Sequence, residues 1–276
     1  MGHEQLGVTG VSGVSGVRGP TPRKVWIIGI GAGHPEHVTQ QAISAMNEVD
    51  FFLVADKGDT TDQLVALRRA VCERFIDPAH TYQLVSVPDP ARGPDAVRTA
   101  AAYAKGVTDW HAARATAYLQ VLQGMAPDAV VGFLVWGDPA IYDSTIRIAD
   151  AMAASTPLDV RVVPGISAFQ ALAAAHGVVL HAVGQPVHVT TGRRLVHDWH
   201  RDVGTVVVML DGRLTCRELV ATAPDLVIRW GAYLGLPQQV LRAGRLADVI
   251  DDLVALRAAL RERHGWIMDV YTLSAD

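Results

Sequence analysis

Short apolar runs alternate with amphipathic stretches through the first half of the chain. The runs at residues 25–30, 51–55 and 130–136 contain no polar positions, which is typical of strands buried on both faces of a sheet. Together the runs predict strands at residues 25–30, 51–55, 84–88, 130–136 and 160–163. Apolar residues between them recur at helical spacing and predict helices at residues 39–46, 60–75, 94–122, from about 144, and 167–175. Such βα alternation indicates an open, mostly parallel sheet.

The pattern changes after Gly177, where strand-like runs follow one another with fewer helices between them. We expect strands at residues 187–190, 205–210, 226–230, 239–242 and 266–273, and helices at residues 214–222 and 246–263. A strand-rich second half favours a mixed sheet. The predicted fold class is therefore α/β with two α/β domains, an N-terminal one at residues 23–157 and a C-terminal one at residues 158–276.

The first 22 residues differ from both domains. Residues 7–17 form a short repeat of glycine, valine, serine and threonine. A secretory signal would need a basic start followed by a continuous apolar stretch, and this segment has neither. We therefore expect residues 1–22 to be a flexible extension.

Charge and cysteine content narrow the function classes. The chain carries 24 basic and 28 acidic residues, a formal net charge of −4, which argues against a nucleic-acid partner. Two cysteines outside any metal-binding spacing favour a reducing, cytoplasmic setting. No apolar run reaches about 18 residues, so we expect no membrane partner. The eleven histidines match no zinc motif, so we expect no metal.

The first candidate for chemistry is the glycine-rich loop after the first predicted strand. Gly29, Gly31 and Gly33 alternate there, and glycine lets the backbone approach a ligand closely. The dinucleotide pattern G-x-G-x-x-G fails, because the third glycine would fall on His34 or Glu36. Taken alone, the loop is equally consistent with a tight turn that binds nothing.

Two further loops follow strands in the same half. Gly137 and Asp138 lie after the most apolar run, where ligands of open α/β sheets bind. Residues 163–167 end in Ser167, a good helix N-cap. Alone, Gly-Asp-Pro is an ordinary turn and Ser167 an ordinary cap.

The order and spacing of these motifs together resemble the tetrapyrrole methylase family. Its blocks are matched from about Val25 to Tyr271 by Gly29, Gly31, Gly33, Pro35 and Thr39, by Gly137, Asp138, Pro139 and Tyr142, by residues 163–167, and by residues 236–240 with Gly244 and Leu246. Within the family, the chain looks most similar to members that methylate a precorrin in cobalamin biosynthesis.

The resemblance implies S-adenosylmethionine (SAM), bound without metal in a cleft between the two domains. It also implies a homodimer. Carried over position by position, the expected SAM-binding residues are Trp136, Gly137, Asp138, Ile141, Tyr142, Ser167, Ala168 and Leu210.

The implied substrate is a precorrin, a macrocycle with many carboxylates. Arginine and lysine suit carboxylates, and the glycine loop would face the ring. The expected substrate-binding residues are Lys57, Gly31, Gly33, Pro35 and Arg68, with Arg69, Arg114, Arg193 and Arg194 as further basic candidates. The resemblance extends to family members that also release an acetyl group from the macrocycle. That step would need a general base, and suitable side chains are those of Asp56, His111, Asp143 and His34.

Three other interpretations stay open from the sequence. The chain could be another precorrin or uroporphyrinogen methyltransferase of the same family. It could be a nicotinamide-dependent oxidoreductase that uses the Gly29–Gly33 loop and Asp56. It could also be a module that binds a tetrapyrrole or nucleotide without catalysis.

Overall fold

The first half of the chain folds around a parallel sheet. The computed structural model describes residues 21–56, 62–90 and 100–275. Five strands pair in the order β3-β2-β4-β1-β5, and every pairing is parallel. They are β1 (Arg23–Gly29), β2 (Phe51–Asp56), β3 (Gln83–Pro88), β4 (Val131–Val135) and β5 (Leu158–Val163). The predicted parallel sheet is confirmed.

Helices cover both faces of this sheet, which explains why its central strands β2, β4 and β1 lack polar alternation. They are α1 (Gln40–Met46), α2 (Asp62–Phe75), α3 (Ala100–Gln123) and α4 (Thr145–Ala153). Ile27 packs with α3 and α4 on one face, and the next residue, Ile28, packs with α1 and α2 on the other. Both side chains are fully buried. Successive side chains of a strand point to opposite faces, so both must be apolar here.

The second half folds around a mixed sheet, as expected. Strands pair in the order β6-β7-β10-β8-β9; β6 and β7 are parallel and the other pairs antiparallel. The strands are β6 (Val187–Thr191), β7 (Thr205–Met209), β8 (Val227–Ala232), β9 (Val240–Arg245) and β10 (Asp269–Ser274). The helices of this half are α5 (Ala168–His176), α6 (Gly192–Asp198) and α7 (Leu246–His264).

The helices of the second half differ from the prediction in two places. The expected helix at residues 214–222 is only a 3-10 helix, Thr215–Leu219, and the Ala223–Pro224 step that follows disfavours further helix. Helix α6 was not predicted, since it is short and begins Gly-Arg-Arg. It forms where Leu195 is fully buried in the second core, so tertiary packing outweighs the local sequence.

The two sheets divide the chain after Val163. Strand β5 pairs with β1 over six residues, from Arg23 opposite Leu158 to Ile28 opposite Val163. The domain boundary expected at residue 157 therefore falls one strand before the change of sheet. A short apolar run before a helix has the same sequence pattern whichever sheet it joins. The prediction therefore assigned strand β5 to the second domain, although it pairs in the first sheet.

Some predicted features lie outside the described residues. They include the repeat at residues 7–17, Lys57, and the starts of the helices predicted at residues 60–75 and 94–122. Within the described ranges, no helix is long and apolar enough to cross a membrane.

Candidate functional site between the two domains

The two glycine loops at the carboxyl ends of β1 and β4 are joined by their backbones. The N–H of Gly137 donates to the carbonyl of Gly31 at 2.8 Å, and the N–H of Gly31 donates to the carbonyl of Gly137 at 3.3 Å. Loops that lie 106 positions apart in the chain are therefore fixed side by side. The parallel order of the sheet, in which β1 neighbours β4, brings them together.

The third motif loop meets the same point. A Cβ atom on Gly165 would lie 2.1 Å from the carbonyl oxygen of Gly137 and 2.9 Å from Cα of Gly29. A Cβ atom on Gly29 would lie 2.6 Å from the backbone nitrogen of Gly165. No side chain fits at these distances, so Gly29 and Gly165 allow three backbones to pack against one another. Their first role in the structure is this close packing.

The first glycine loop also forms a contact between the domains. A Cβ atom on Gly33 would lie 2.4 Å from the carbonyl oxygen of Leu234, and one on Gly235 would lie 2.4 Å from the backbone nitrogen of His34. Pro35 begins the 3-10 helix Pro35–His37. The structure thus places Gly33 where the first domain touches the second, and Gly31 and Pro35, which we also expected beside the macrocycle, lie in the same loop.

A cleft of about 590 Å³ opens beside these loops, lined by both domains. Five of the eight residues expected to bind SAM line it, namely Trp136, Ile141, Tyr142, Ala168 and Leu210. They come from the loop after β4, the start of α5 and the end of β7, which are far apart in sequence. The sheet ends therefore assemble one concave surface from the predicted segments, as is usual for open α/β sheets.

Three non-glycine residues around this cleft have a left-handed backbone. The φ angles are 52° at Tyr142, 53° at Leu210 and 52° at Tyr233. This region is costly for residues with a side chain and is held only where surrounding packing requires it. The Leu210 side chain is also 67% exposed, although it is apolar. Strain and exposed apolar surface at the same place are typical of a binding site.

The remaining predicted SAM-binding residues do not line the cleft. Both Asp138 carboxylate oxygens are occupied, one by the N–H of Ala140 at 2.8 Å and one by the N–H of Gly165 at 2.9 Å. Ser167 is 2% exposed, and its hydroxyl and N–H both donate to the Gln170 side-chain oxygen. Gly137 is held by its bridge to Gly31. Asp138, Ser167 and Gly137 therefore hold their loops in place, and residues close to them in the chain line the cleft.

An ion pair that was not predicted from the sequence lines the cleft on the side of the second domain. Arg257 on α7 donates to Asp269 on β10 at 2.8 Å, and the indole N–H of Trp230 donates to the same carboxylate at 2.9 Å. Burial disfavours the charge on Arg257, but the bond to Asp269 outweighs it and raises the pKa of the guanidinium. Arg257 and Asp269 come together because α7 packs on the sheet. No local sequence pattern therefore indicates that they form a pair.

A smaller polar space, here called the arginine chamber, lies in the first domain at the carboxyl ends of β2 and β4. It measures about 150 Å³, and its polar lining residues are Arg68, Arg114, Tyr118, Asp143 and Thr145. Arg68 donates to the carbonyl of Leu134 at 3.0 Å, and Arg114 donates to Asp89 at 2.7 Å. Burial lowers the pKa of Arg68, against the opposing charge of Asp143. Asp143 lines both the chamber and the cleft.

The candidate bases differ in their surroundings. Nε2 of His111 lies 2.8 Å from the Ser144 hydroxyl, next to Asp143 in the chain. Asp56 is exposed at the end of β2, where it accepts from the Ser86 hydroxyl at 3.3 Å, and it lines neither space. The ring centroids of His34 and His37 lie 5.5 Å apart, with the ring planes tilted by 48°, beside the domain contact. Within the described ranges, no three His, Cys, Asp or Glu side chains form a metal site.

The chain matches known proteins over most of its length. The family model of Tetrapyrrole (Corrin/Porphyrin) Methylases covers residues 24–250. A precorrin-6A synthase [deacetylating] of Sinorhizobium sp. is 41% identical over 254 residues, which is 91% of this chain and 95% of that protein.

Solved structures show the same architecture. A cobalamin-synthesis-related protein (CobF) of Corynebacterium diphtheriae superposes with a TM-score of 0.77 at 35% identity, over 92% of this chain and 99% of that one. A uroporphyrin-III C-methyltransferase of Thermus thermophilus, complexed with S-adenosyl homocysteine, shares the fold, with a TM-score of 0.55 and 19% identity over 91% and 92% of the two chains. Two α/β domains with a cleft between them, a family match across 24–250 and a relative at 41% identity lead to one conclusion: the chain belongs to the tetrapyrrole (corrin/porphyrin) methylases.

Proposed function

We propose that this protein is a SAM-dependent C-methyltransferase that converts precorrin-5 to precorrin-6A and releases acetate. The identity of 41% to a protein named for that reaction supports the proposal, because the similarity covers nearly the whole of both chains. The likeness to a cobalamin-synthesis-related protein at 35% identity supports the same pathway. A homodimer in the cytoplasm belongs to the same proposal and rests on the family resemblance.

The single observation that carries the site assignment is the cleft between the domains. Its lining combines apolar surface with polar groups held in place, such as the ion pair of Arg257 and Asp269. Gly137 lies beside it with φ of 72°, and a Cβ atom there would meet nothing closer than 3.8 Å, at Ser167. Buried backbone with open space next to it is suited to a ligand that lies against the main chain. The residues present therefore fit SAM.

Each part of the cleft has a role in this proposal. The sulfonium of SAM supplies an activated methyl group. Trp136, Ile141 and Tyr142 would hold the methionine part, and Ala168 its end nearest α5. Leu210, with its exposed side chain, would pack against the adenine. The protein mainly orients the two reactants, which can lower the barrier by roughly 7–11 kcal/mol.

The macrocycle would enter from the first domain. Its carboxylates require cations, and the buried Arg68 in the arginine chamber is suited to hold one. Lys57, Gly31, Gly33 and Pro35 belong to this side of the proposal as macrocycle-facing positions. Gly31 and Gly33 would then act through the shape of their loop. A Cβ atom on Gly31 would meet His37, and one on Gly33 would meet Leu234, so the space beside both glycines is already filled.

The decisive experiment follows the fate of the methyl group. The purified protein is incubated with precorrin-5 and SAM carrying an isotopically labelled methyl group, and the product is analysed by mass spectrometry. We expect a labelled methyl in the macrocycle and the mass of an acetyl group removed. Calorimetric titration with S-adenosylhomocysteine, beside NAD and NADP, provides the control. Binding of a nicotinamide cofactor alone would contradict the proposal and favour an oxidoreductase.

A further inference from the structure

Ser144 and His111 form a close pair next to the proposed site. The Ser144 hydroxyl lies 2.8 Å from Nε2 of His111. This is within the range of about 2.6–3.2 Å that joins nucleophiles to their general bases. The serine comes from the loop after β4 and the histidine from α3, so the pair is made by the packing of α3 on α4. Both residues are partly exposed.

The Ser144 hydroxyl does not perform the usual task of its position. Ser144 is the N-cap residue of α4, but its side chain makes no capping bond. The Asp143 carboxylate accepts the N–H of Thr145 instead, at 2.6 Å. A serine at a helix start normally accepts such a bond, because the first N–H groups of a helix lack partners. Here the neighbouring aspartate does so, and the hydroxyl is directed to His111.

Ser144 lies in the chain between residues that line the cleft and the arginine chamber. Asp143, just before Ser144, lines both spaces, and Thr145, just after it, lines the chamber.

We propose that Ser144 is the nucleophile that removes the acetyl group and that His111 is its general base. This rests on the proposed function, which contains an acetyl loss but assigns no residue to it. The relative's bracketed name, deacetylating, describes that reaction for the relative alone.

The steps balance with water as the only further reactant. His111 takes the Ser144 proton as the serine oxygen bonds to the acetyl carbonyl carbon. The bond between that carbon and the macrocycle breaks, and the macrocycle carbon takes the electron pair and the proton from His111. Water, deprotonated by His111, then attacks the acetyl-serine, and acetate leaves as the serine hydroxyl is restored. The sum is acetyl-macrocycle plus water giving macrocycle plus acetic acid.

The test compares acetate release with cofactor binding in matched variants. Wild type, Ser144→Ala, Ser144→Thr and His111→Gln are given precorrin-5 and SAM, and acetate and S-adenosylhomocysteine are quantified. Ser44→Ala, an exposed serine on α1, is the control. We expect acetate release to fall roughly 100-fold or more in Ser144→Ala and His111→Gln, as for loss of a general base. Ser144→Thr should retain part of it, and the dissociation constant of S-adenosylhomocysteine should stay unchanged throughout.

A measurement on the wild type keeps the proposal testable if a variant does not fold. Acid-quenched enzyme should carry the mass of one acetyl group on the peptide that contains Ser144. Acetate release at the wild-type rate in folded Ser144→Ala or His111→Gln would overturn the inference. Methyl transfer by the wild type without any acetate release would overturn it too, together with the acetate release in the proposed function, while the SAM-dependent methyl transfer stands. A wild type that transfers no methyl group to precorrin-5 would overturn the proposed function itself.

Discussion

At the scale of single residues, Arg68 has the most consequential surroundings in the first domain. Its guanidinium lines the arginine chamber and donates to the Leu134 backbone carbonyl at 3.0 Å. Burial lowers the pKa of this group, and the opposite charge of Asp143 acts against that effect. A ligand carboxylate in the chamber would add a second opposite charge.

Replacing Arg68 tests this assignment. We predict that Arg68→Gln raises the Michaelis constant for precorrin-5 about 10-fold or more, because a hydrogen bond to a charged group contributes roughly 1.5–3 kcal/mol. Binding of S-adenosylhomocysteine should not change, since Arg68 does not line the cleft. Arg74→Gln on the same helix is the control, because that side chain is 52% exposed and outside the chamber. Equal Michaelis constants for the two variants would contradict the role.

At the scale of elements, helix starts account for much of what the sequence predicted correctly. The Thr39 hydroxyl accepts the N–H of Ala42 at 3.1 Å, so it caps α1, whose predicted helix begins at this residue. The cap fixes the end of the glycine loop, which leads into α1 through the 3-10 helix Pro35–His37. Local chemistry of this kind is readable from a few neighbouring residues.

Removing this cap should cost stability without changing the site. We predict that Thr39→Ala lowers the free energy of unfolding by about 1 kcal/mol, the usual cost of an N-cap. Ser44→Ala, within the same helix, should cost less, because the Ser44 hydroxyl bonds only to the Gln40 carbonyl of its own helix. Chemical denaturation of the two variants beside the wild type measures the difference. A smaller loss for Thr39→Ala than for Ser44→Ala would show that the cap does not stabilise the helix.

Elements that depend on distant contacts were less predictable. The strands of the first sheet were readable because burial on both faces leaves a continuous apolar run, as at β4. Helix α6 and the sheet membership of β5 follow from pairing and packing partners far away in sequence. The same holds for the ion pair of Arg257 and Asp269 in the cleft. Motif loops at strand ends were located correctly, whereas the inward or outward direction of Asp138 and Ser167 was not visible in the sequence.

At the scale of the whole molecule, each domain has one cysteine buried in its core, so the reactivity of each thiol depends on the folding of its own domain. Cys72 is fully buried in the core of the first domain and Cys216 in that of the second. Burial raises the pKa of each thiol to about 12. The thiolate is the reactive form, and it is scarce in the folded protein at neutral or mildly alkaline pH.

Thiol reactivity should therefore measure unfolding of each domain. We predict no alkylation of either cysteine by iodoacetamide at about pH 8 in the folded protein, since the ordinary thiol pKa is near 8.5. Both should react once the chain is unfolded in guanidinium chloride. Peptide mass spectrometry at intermediate denaturant then shows whether the domains open together. Rapid labelling of either cysteine without denaturant would contradict the buried placement.

The backbone bridge between Gly31 and Gly137 has a thermodynamic consequence. It couples the segment proposed to face the macrocycle with the segment proposed to face the methyl donor. If one ligand changes the energy of its own segment, the change passes to the other through two main-chain hydrogen bonds. Linkage then requires reciprocity: whatever factor the donor applies to macrocycle affinity, the macrocycle must apply to donor affinity.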